Sequence, residues 1–134
     1  MSGTYRQFKT DGALERDGVA LDYDGFSITV ARAGGSNRRY SAAMAQRTKA
    51  IRSALRTGHV DEATNQRILR EVMADTVVLG WAGVTGRDGE PLPFSRENVV
   101  RLFTDLPDLM ADVFQQASEL ANFLEAQAAE DAGK

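Results

Sequence analysis

The sequence predicts a mainly helical α+β domain, in which an N-terminal β-hairpin precedes about four helices and the last helix is long and amphipathic. Three observations lead to this prediction. Two short apolar runs flank an Asp-Gly pair near the N-terminus, several later segments repeat apolar residues at helical spacing, and Gly- or Pro-rich breaks separate those segments. At 134 residues, the chain has the size of one domain.

The composition is that of a globular protein, with 43% hydrophobic and 26% charged residues. No apolar run approaches the ~20 residues that span a bilayer, so we expect no transmembrane helix. The N-terminal segment MSGTYRQFKTDG has no apolar core, so we expect no secretory signal. The absence of cysteine excludes disulfides and thiolate metal sites, and it favours a reducing cytoplasm.

The first third of the chain is predicted to form an arm and a hairpin. Residues 1–18 are polar and contain three glycines, which favours a flexible arm. Residues 19–31 contain two alternating apolar runs around Asp24-Gly25. This pair fits a type I′ turn, in which both central residues have positive φ, and it predicts a β-hairpin. The domain is expected to extend from this hairpin to residue 129.

A first long helix is predicted over residues 39–56. Tyr40, Met44 and Ile51 fall on one face at the 3.6-residue period of a helix. Basic side chains fall on the opposite face: Lys49, Arg52 and Arg56. A chain that presents this face to solvent would place the three cations on the surface.

A second helix is predicted over about residues 62–80 or a little beyond, with Asp61 as its N-cap. Residues 76–84 are apolar on all sides and rich in β-branched side chains, which also fits a buried strand. We favour the helix, because the helical period of the preceding residues leads directly into this segment.

Residues 85–94 are predicted to form a loop, because they contain two glycines, two prolines and an Asp-Gly pair. The segment 91–94, Pro-Leu-Pro-Phe, fits either a docking loop or a rigid spacer, and we favour the spacer. Ser95 then caps a short helix over residues 96–104.

The last helix is predicted to begin at Pro107, which suits a first helical turn because its missing N–H is not needed there. Its apolar stripe extends to about residue 129, a length of ~30 Å. Residues 130–134 are expected to fray.

The sequence predicts no catalytic residues, no metal site and no cofactor. His59 is the only histidine, and no second histidine or cysteine is available to assist it. The serines lack the setting of a nucleophile elbow. We therefore expect a binding protein and not an enzyme.

Charge is distributed unevenly along the chain. Residues 38–70 contain eight Arg or Lys and two acids, whereas residues 104–134 contain seven acids and one lysine. The basic part fits nucleic-acid binding, a solvated helix face, or a face that meets an acidic partner. We favour the last two, because the net charge is −3 and no aromatic residues interleave the basic ones.

Several motifs occur in a recurring order between residues 69 and 124. An apolar segment whose helical part is expected to end near its tryptophan (DTVVLGWAGV, 75–84) precedes a loop with Pro-Leu-Pro (DGEPLPFS, 88–95). Glu97-Asn98 and Leu106-Pro107-Asp108-Leu109 follow. In this order the chain resembles the tail assembly chaperones of long-tailed, non-contractile bacteriophages. The hairpin and the first long helix also look like tail components of this type.

This resemblance implies a phage protein that binds the tape measure protein, keeps it soluble and recruits tail tube subunits. It implies action in the host bacterial cytoplasm, away from membranes and absent from the virion. It leaves self-association open. Two competing functions are a small regulator that binds nucleic acid through the basic face, which the charge distribution makes less favoured, and a structural tail component.

The last helix is a candidate surface for the helical tape measure protein, since helix-in-groove binding uses apolar anchors at i, i+3, i+4 and i+7. An equally good interpretation places the same stripe in the domain core. The candidate partner-binding residues are Phe114, Leu120, Phe123, Leu124, Lys49, Arg52 and Arg56.

Overall fold

The computed structural model describes residues 3–56, 58 and 61–125. These residues form a three-stranded antiparallel sheet and six α-helices, and the mainly helical α+β class is confirmed. None of the described helices is long and apolar enough to cross a membrane. In chain order the elements are α1 (Thr4–Phe8), α2 (Gly12–Asp17), β1 (Val19–Asp22), β2 (Ser27–Val30), α3 (Arg38–Leu55), α4 (Glu62–Thr76), β3 (Val78–Ala82), α5 (Arg96–Asp105) and α6 (Pro107–Ser118).

The N-terminal hairpin is present, with β1 and β2 paired antiparallel. Its turn is closed by the Tyr23 N–H, which donates to the Phe26 carbonyl at 2.9 Å. The predicted type I′ turn is wrong, because Gly25 has a φ of 85° but Asp24 does not have a positive φ. Glycine alone therefore supplies the left-handed residue that the turn needs.

The helices α3 and α4 confirm the two long helices of the prediction and pack on each other. Asp61 is the N-cap of α4, and its carboxylate accepts the Thr64 N–H at 2.7 Å. This hydrogen bond holds the pKa of Asp61 below its ordinary value. No described side chain of α3 is buried, so this helix leaves a broad face to solvent.

The predicted continuation of the second helix to residue 80 is wrong, because α4 ends at Thr76 and the next residues form β3. β3 pairs with β2, and Ile28 lies opposite Trp81. Periodicity describes only neighbours along the chain, whereas the choice between helix and strand for residues 78–82 depends on the open edge of β2. The dense β-branched residues then make the strand the better-packed alternative.

The short helix α5 confirms its predicted cap, because the Ser95 hydroxyl accepts the Asn98 N–H at 3.1 Å. Pro107 confirms its predicted place in the first turn of α6. The expected long helix is wrong directly after Ser118, where α6 ends, and its last predicted residues, 126–129, lie outside the described residues. Glu119 is extended, and a 3₁₀ turn (Leu120–Phe123) follows.

A side-chain amide explains part of this early end. Asn122 Nδ2 donates to the Gln116 carbonyl at 2.9 Å and to its side-chain oxygen at 3.1 Å. These bonds replace a further helical turn and fold the chain back. The expected frayed tail, residues 130–134, lies outside the described residues.

Within the expected flexible arm, residues 1–18, the described residues 3–18 contain two short helices, α1 and α2. Asp11 caps α2 by accepting the N–H groups of Ala13 and Leu14. The Asp11 N–H donates to the Phe123 carbonyl at 2.8 Å, and the side chain of Glu15 is buried. Residues near both ends of the described chain are thereby joined.

The core lies among the sheet, the second half of α4, and helices α5 and α6. Its largest fully buried apolar side chains are Ile28, Val30, Met73, Val77, Val99, Phe103, Met110 and Val113. Burial of these side chains supplies the main stabilisation of the fold. Because α5 packs against α4 and α6, this core also fixes the junction between α5 and α6, which lines the groove described next.

Candidate partner-binding groove

A groove of about 640 Å³ opens between the loop after β3 and the junction of α5 with α6. Its apolar part comes from Leu92, Leu102 and Leu106. Exposed charged residues complete the lining: Arg87, Asp88, Arg101 and Asp105. Apolar surface with a charged border is typical of a site that binds another protein segment.

The loop that forms one wall is held by its own backbone. Leu92 N–H donates to the Val84 carbonyl and Gly86 N–H to the Glu90 carbonyl, each at 2.9 Å. Gly89, with a φ of 80°, completes the turn. The wall is therefore formed before any partner arrives, which lowers the entropy cost of binding.

The opposite wall is the junction between α5 and α6, where Leu106 links the two helices. Its N–H donates to the Leu102 carbonyl at 2.8 Å, and its carbonyl accepts the Met110 N–H at 3.2 Å. Leu106 nevertheless has non-helical dihedral angles, and its side chain is 48% exposed. The backbone is thus fixed while a large apolar side chain faces the groove.

Charges at the groove are only partly paired. Arg87 and Asp105 form an ion pair at 3.2 Å in which Arg87 is largely exposed, so salt screens it easily. Arg101 has no ion-pair partner within the described part of the chain. A partner with an acidic residue beside an apolar one would therefore fit this groove.

Aromatic residues adjoin the groove at Leu92. The Trp81 and Phe94 rings meet edge to face with centroids 5.3 Å apart, and Trp81 Nε1 donates to the Leu92 carbonyl at 2.9 Å. Phe94 is 41% exposed. The segment 91–94, interpreted from the sequence as a spacer, thus also contributes Leu92 to the groove.

The apolar candidates predicted near the C-terminus lie in different environments. Phe114, Leu120 and Leu124 are half-buried, and Phe114 packs against the core. Phe123 is 0% exposed, and the Arg32 guanidinium lies 5.9 Å from the centre of its ring. The structure therefore does not offer Phe123 as an exposed anchor, because the 3₁₀ turn directs it inward.

The basic candidates Lys49, Arg52 and Arg56 lie together on the exposed face of α3 and in the residue after it. None of the three has an ion-pair partner among the described residues. None of the seven candidates lines the groove at Leu106 or the two further grooves at Ser36 and at Tyr23. Lys49, Arg52 and Arg56 form a cationic surface of their own.

Sequence reasoning missed Leu106, as well as Tyr5 and Phe8, which are 80% and 64% exposed. The available signal for Leu106 was an apolar residue directly before a helix-starting proline. Such a residue lies between two helices and belongs to the apolar stripe of neither. Tyr5 and Phe8 carry a weaker signal, an aromatic pair at i, i+3 spacing in the presumed arm.

Among the described residues, no group of three or more His, Cys, Asp or Glu side chains could hold a metal ion.

Comparison with known proteins gives one family. The sequence profile of the family described as “YdaY prophage protein” matches residues 35–134, about three quarters of the chain. No curated protein and no solved structure matches the chain.

Proposed function

The chain belongs to the YdaY prophage protein family, and we propose that it acts as a tail assembly chaperone. In this role it binds the tape measure protein in the host bacterial cytoplasm, keeps it soluble and recruits tail tube subunits. It leaves before the tail is finished and performs no catalysis. The prophage family is consistent with this role, and the order of sequence motifs supports it.

The observation that carries the proposal is the half-exposed Leu106 beside an apolar groove. A long helical protein that has not yet been enclosed exposes apolar stripes and aggregates through them. A preformed groove with an apolar lining accepts one or two side chains from such a stripe.

The size of the groove suits a contact that must later be released. A groove of about 640 Å³ accommodates few side chains, so each contact contributes only modest affinity. Several copies along one long partner would still bind firmly through multivalency. Tube subunits that cover the same stripes could then displace the copies one at a time.

The test is co-expression with the long, helix-predicted protein encoded next to this one, with the soluble fraction of that protein as the readout. We expect it to be insoluble alone and soluble with the wild-type chain. Leu106→Gln should reduce the soluble fraction. Phe8→Gln, which removes another exposed apolar side chain outside the groove, is the matched control.

A neighbour protein whose solubility does not depend on this chain would overturn the proposal. Equal loss of solubility with Leu106→Gln and Phe8→Gln would remove the groove as the binding site while leaving the chaperone role intact.

The second candidate function is nucleic-acid binding through Lys49, Arg52 and Arg56, favoured by their exposure and by the lack of acidic partners among the described residues. Phosphate contacts release counterions, so this function predicts DNA binding that weakens steeply with salt. A fluorescence anisotropy titration at several salt concentrations, with Lys49→Gln/Arg52→Gln for comparison, separates it from the chaperone role.

A further inference from the structure

Helix α3 is the longest helix of the described chain, and it is covered on one side only. It packs against α4, and its half-buried side chains include Tyr40, Met44 and Ile51. Within the described residues, the opposite side carries no covering element, and its side chains are exposed. An amphipathic pattern thus positions α3 on the domain and leaves a second face unoccupied.

The unoccupied face of α3 is cationic. Lys49, Arg52 and Arg56 are spaced at i, i+3 and i+7, so they lie on one side of the helix over about 10 Å. Ala42 and Ala45 continue the same side toward the N-terminus and are also exposed. No acidic residue occurs between residues 38 and 60.

The outward face of α6 has the opposite charge. Asp108 and Glu119, which directly follows the helix, are exposed and about 16 Å apart along the axis. Ala111, Gln115 and Ser118 lie between them on the same side and are small or uncharged. No Lys or Arg occurs between residues 102 and 125.

The two faces do not neutralise each other within one copy. Lys49, Arg52 and Arg56 have no acidic partner, and Asp108 and Glu119 have no basic partner, among the described residues. Neither face has its charge offset within one copy, and the three neighbouring cations of α3 repel one another, so a surface of opposite charge would stabilise each face.

We propose that the cationic face of α3 in one copy docks on the acidic face of α6 in a second copy. The faces have opposite charge. The alanines beside the α3 cations, and the small or uncharged side chains between Asp108 and Glu119, allow the two helices to approach closely. Because the two surfaces differ, the contact is head-to-tail and can be repeated by further copies. Each exposed ion pair is individually weak, so the assembly depends on salt and on protein concentration.

The test measures self-association by sedimentation velocity between about 0.01 M and about 1 M salt, over which the Debye length falls from about 30 Å to about 3 Å. We expect the wild-type chain to associate at low salt and to be monomeric at high salt. Lys49→Glu/Arg52→Glu and Asp108→Lys/Glu119→Lys should each weaken association by about tenfold or more.

Mixing the two variants provides the sharper test. In the mixture, the now acidic α3 face of the first variant can dock on the now basic α6 face of the second. The unaltered α6 face of the first variant can likewise dock on the unaltered α3 face of the second. Association should therefore return to the wild-type level. Lys9→Glu/Arg16→Glu, which alters exposed cations outside both faces by the same total charge, is the matched control and should associate normally.

A wild-type chain that remains monomeric at low salt, or a mixture that does not associate, would overturn the proposal. If Lys49→Glu/Arg52→Glu abolished DNA binding without any change in self-association, the α3 face would serve nucleic acid instead. Circular dichroism on each variant excludes unfolding as the cause. None of these substitutions touches the groove, so this test and the solubility test fail independently.

Discussion

Glu15 and Arg32 form an ion pair in which Arg32 Nη1 donates to Glu15 Oε2 at 2.6 Å. The side chain of Glu15 is almost fully buried, and its second carboxylate oxygen accepts the Thr10 hydroxyl at 3.1 Å and the Ser36 N–H at 3.3 Å. A buried charge is tolerated only when it is paired and hydrogen-bonded. This cluster therefore fixes α2 against the segment that links β2 to α3.

Glu15→Gln removes the negative charge and keeps the shape of the side chain. We expect the free energy of unfolding to fall by about 3 kcal/mol, because the substitution leaves the Arg32 guanidinium in a poorly solvated position without its carboxylate. Urea denaturation measures the loss. Asp17→Asn, an exposed acid on the same helix, should change stability by less than about 0.5 kcal/mol.

The same carboxylate makes stability depend on pH. Burial by itself would raise the pKa of Glu15, but hydrogen bonds from Arg32, Ser36 and Thr10 outweigh it and lower the pKa. A carboxylate with a depressed pKa in the folded state stabilises the fold above its unfolded pKa, and this stability is lost as the pH falls through the folded pKa.

The difference in unfolding free energy between the wild type and Glu15→Gln should therefore be constant near neutral pH. It should shrink as the pH falls below about 4.3, the ordinary pKa of glutamate. Denaturation of both proteins over a series of pH values measures this difference. A difference that grows in acid would show that Glu15 is protonated in the native state.

Gly35 is required where the backbone passes Glu15. A Cβ at this position would lie 1.9 Å from Glu15 Oε2, and φ is 53°. Gly35→Ala should cost about 2–4 kcal/mol through clash and strain together. Gly89→Ala isolates the strain, since φ is 80° but nothing lies within 4 Å of its Cβ. We expect Gly89→Ala to lower the free energy of unfolding by about 1 kcal/mol, as measured by thermal denaturation. Equal losses in Gly35→Ala and Gly89→Ala would contradict a clash at Gly35.

Local signals were sufficient to predict the beginnings of elements. Asp61 and Ser95 each accept an N–H from the third residue that follows, and Pro107 occupies a first turn. These features depend on residues close in sequence, so spacing and residue type determine them. The same reasoning predicted the hairpin around Gly25.

Non-local contacts determined the elements that sequence reasoning missed. Val78–Ala82 became a strand because β2 offered an open edge. Helix α6 ended at Ser118 because Asn122 bonds back to Gln116, and the chain then pairs near Thr10. Periodicity carries no information about partners so distant in sequence, and tertiary contacts therefore override it.

The candidate site shows the same difference between features set by nearby residues and features set by the whole fold. The apolar stripe of the last helix suggested Phe123, which the turn after α6 buries, whereas Leu106 lies exposed between two helices. Lys49 and Arg52 were predicted on a solvent-facing surface, and they are exposed. Charge periodicity on one helix is local, but the choice among apolar residues for a binding site depends on the whole fold.

The contrast between Phe123 and Leu106 separates loss of folding from loss of binding. Phe123→Ala should cost about 3–5 kcal/mol, because it leaves a cavity beside α2 and removes the ring next to Arg32. Leu106→Gln should cost less than about 1 kcal/mol, because the side chain is already half exposed.

Urea denaturation and the soluble fraction of the proposed partner, the tape measure protein, measured on both variants, then give a two-way test. Loss of solubilisation with Phe123→Ala is expected to accompany unfolding, whereas Leu106→Gln is expected to lose it while folded. If Phe123→Ala kept its full unfolding free energy and still failed to solubilise the partner, Phe123 would have to leave its buried position during binding. The C-terminal segment, and not the groove, would then be the contact surface.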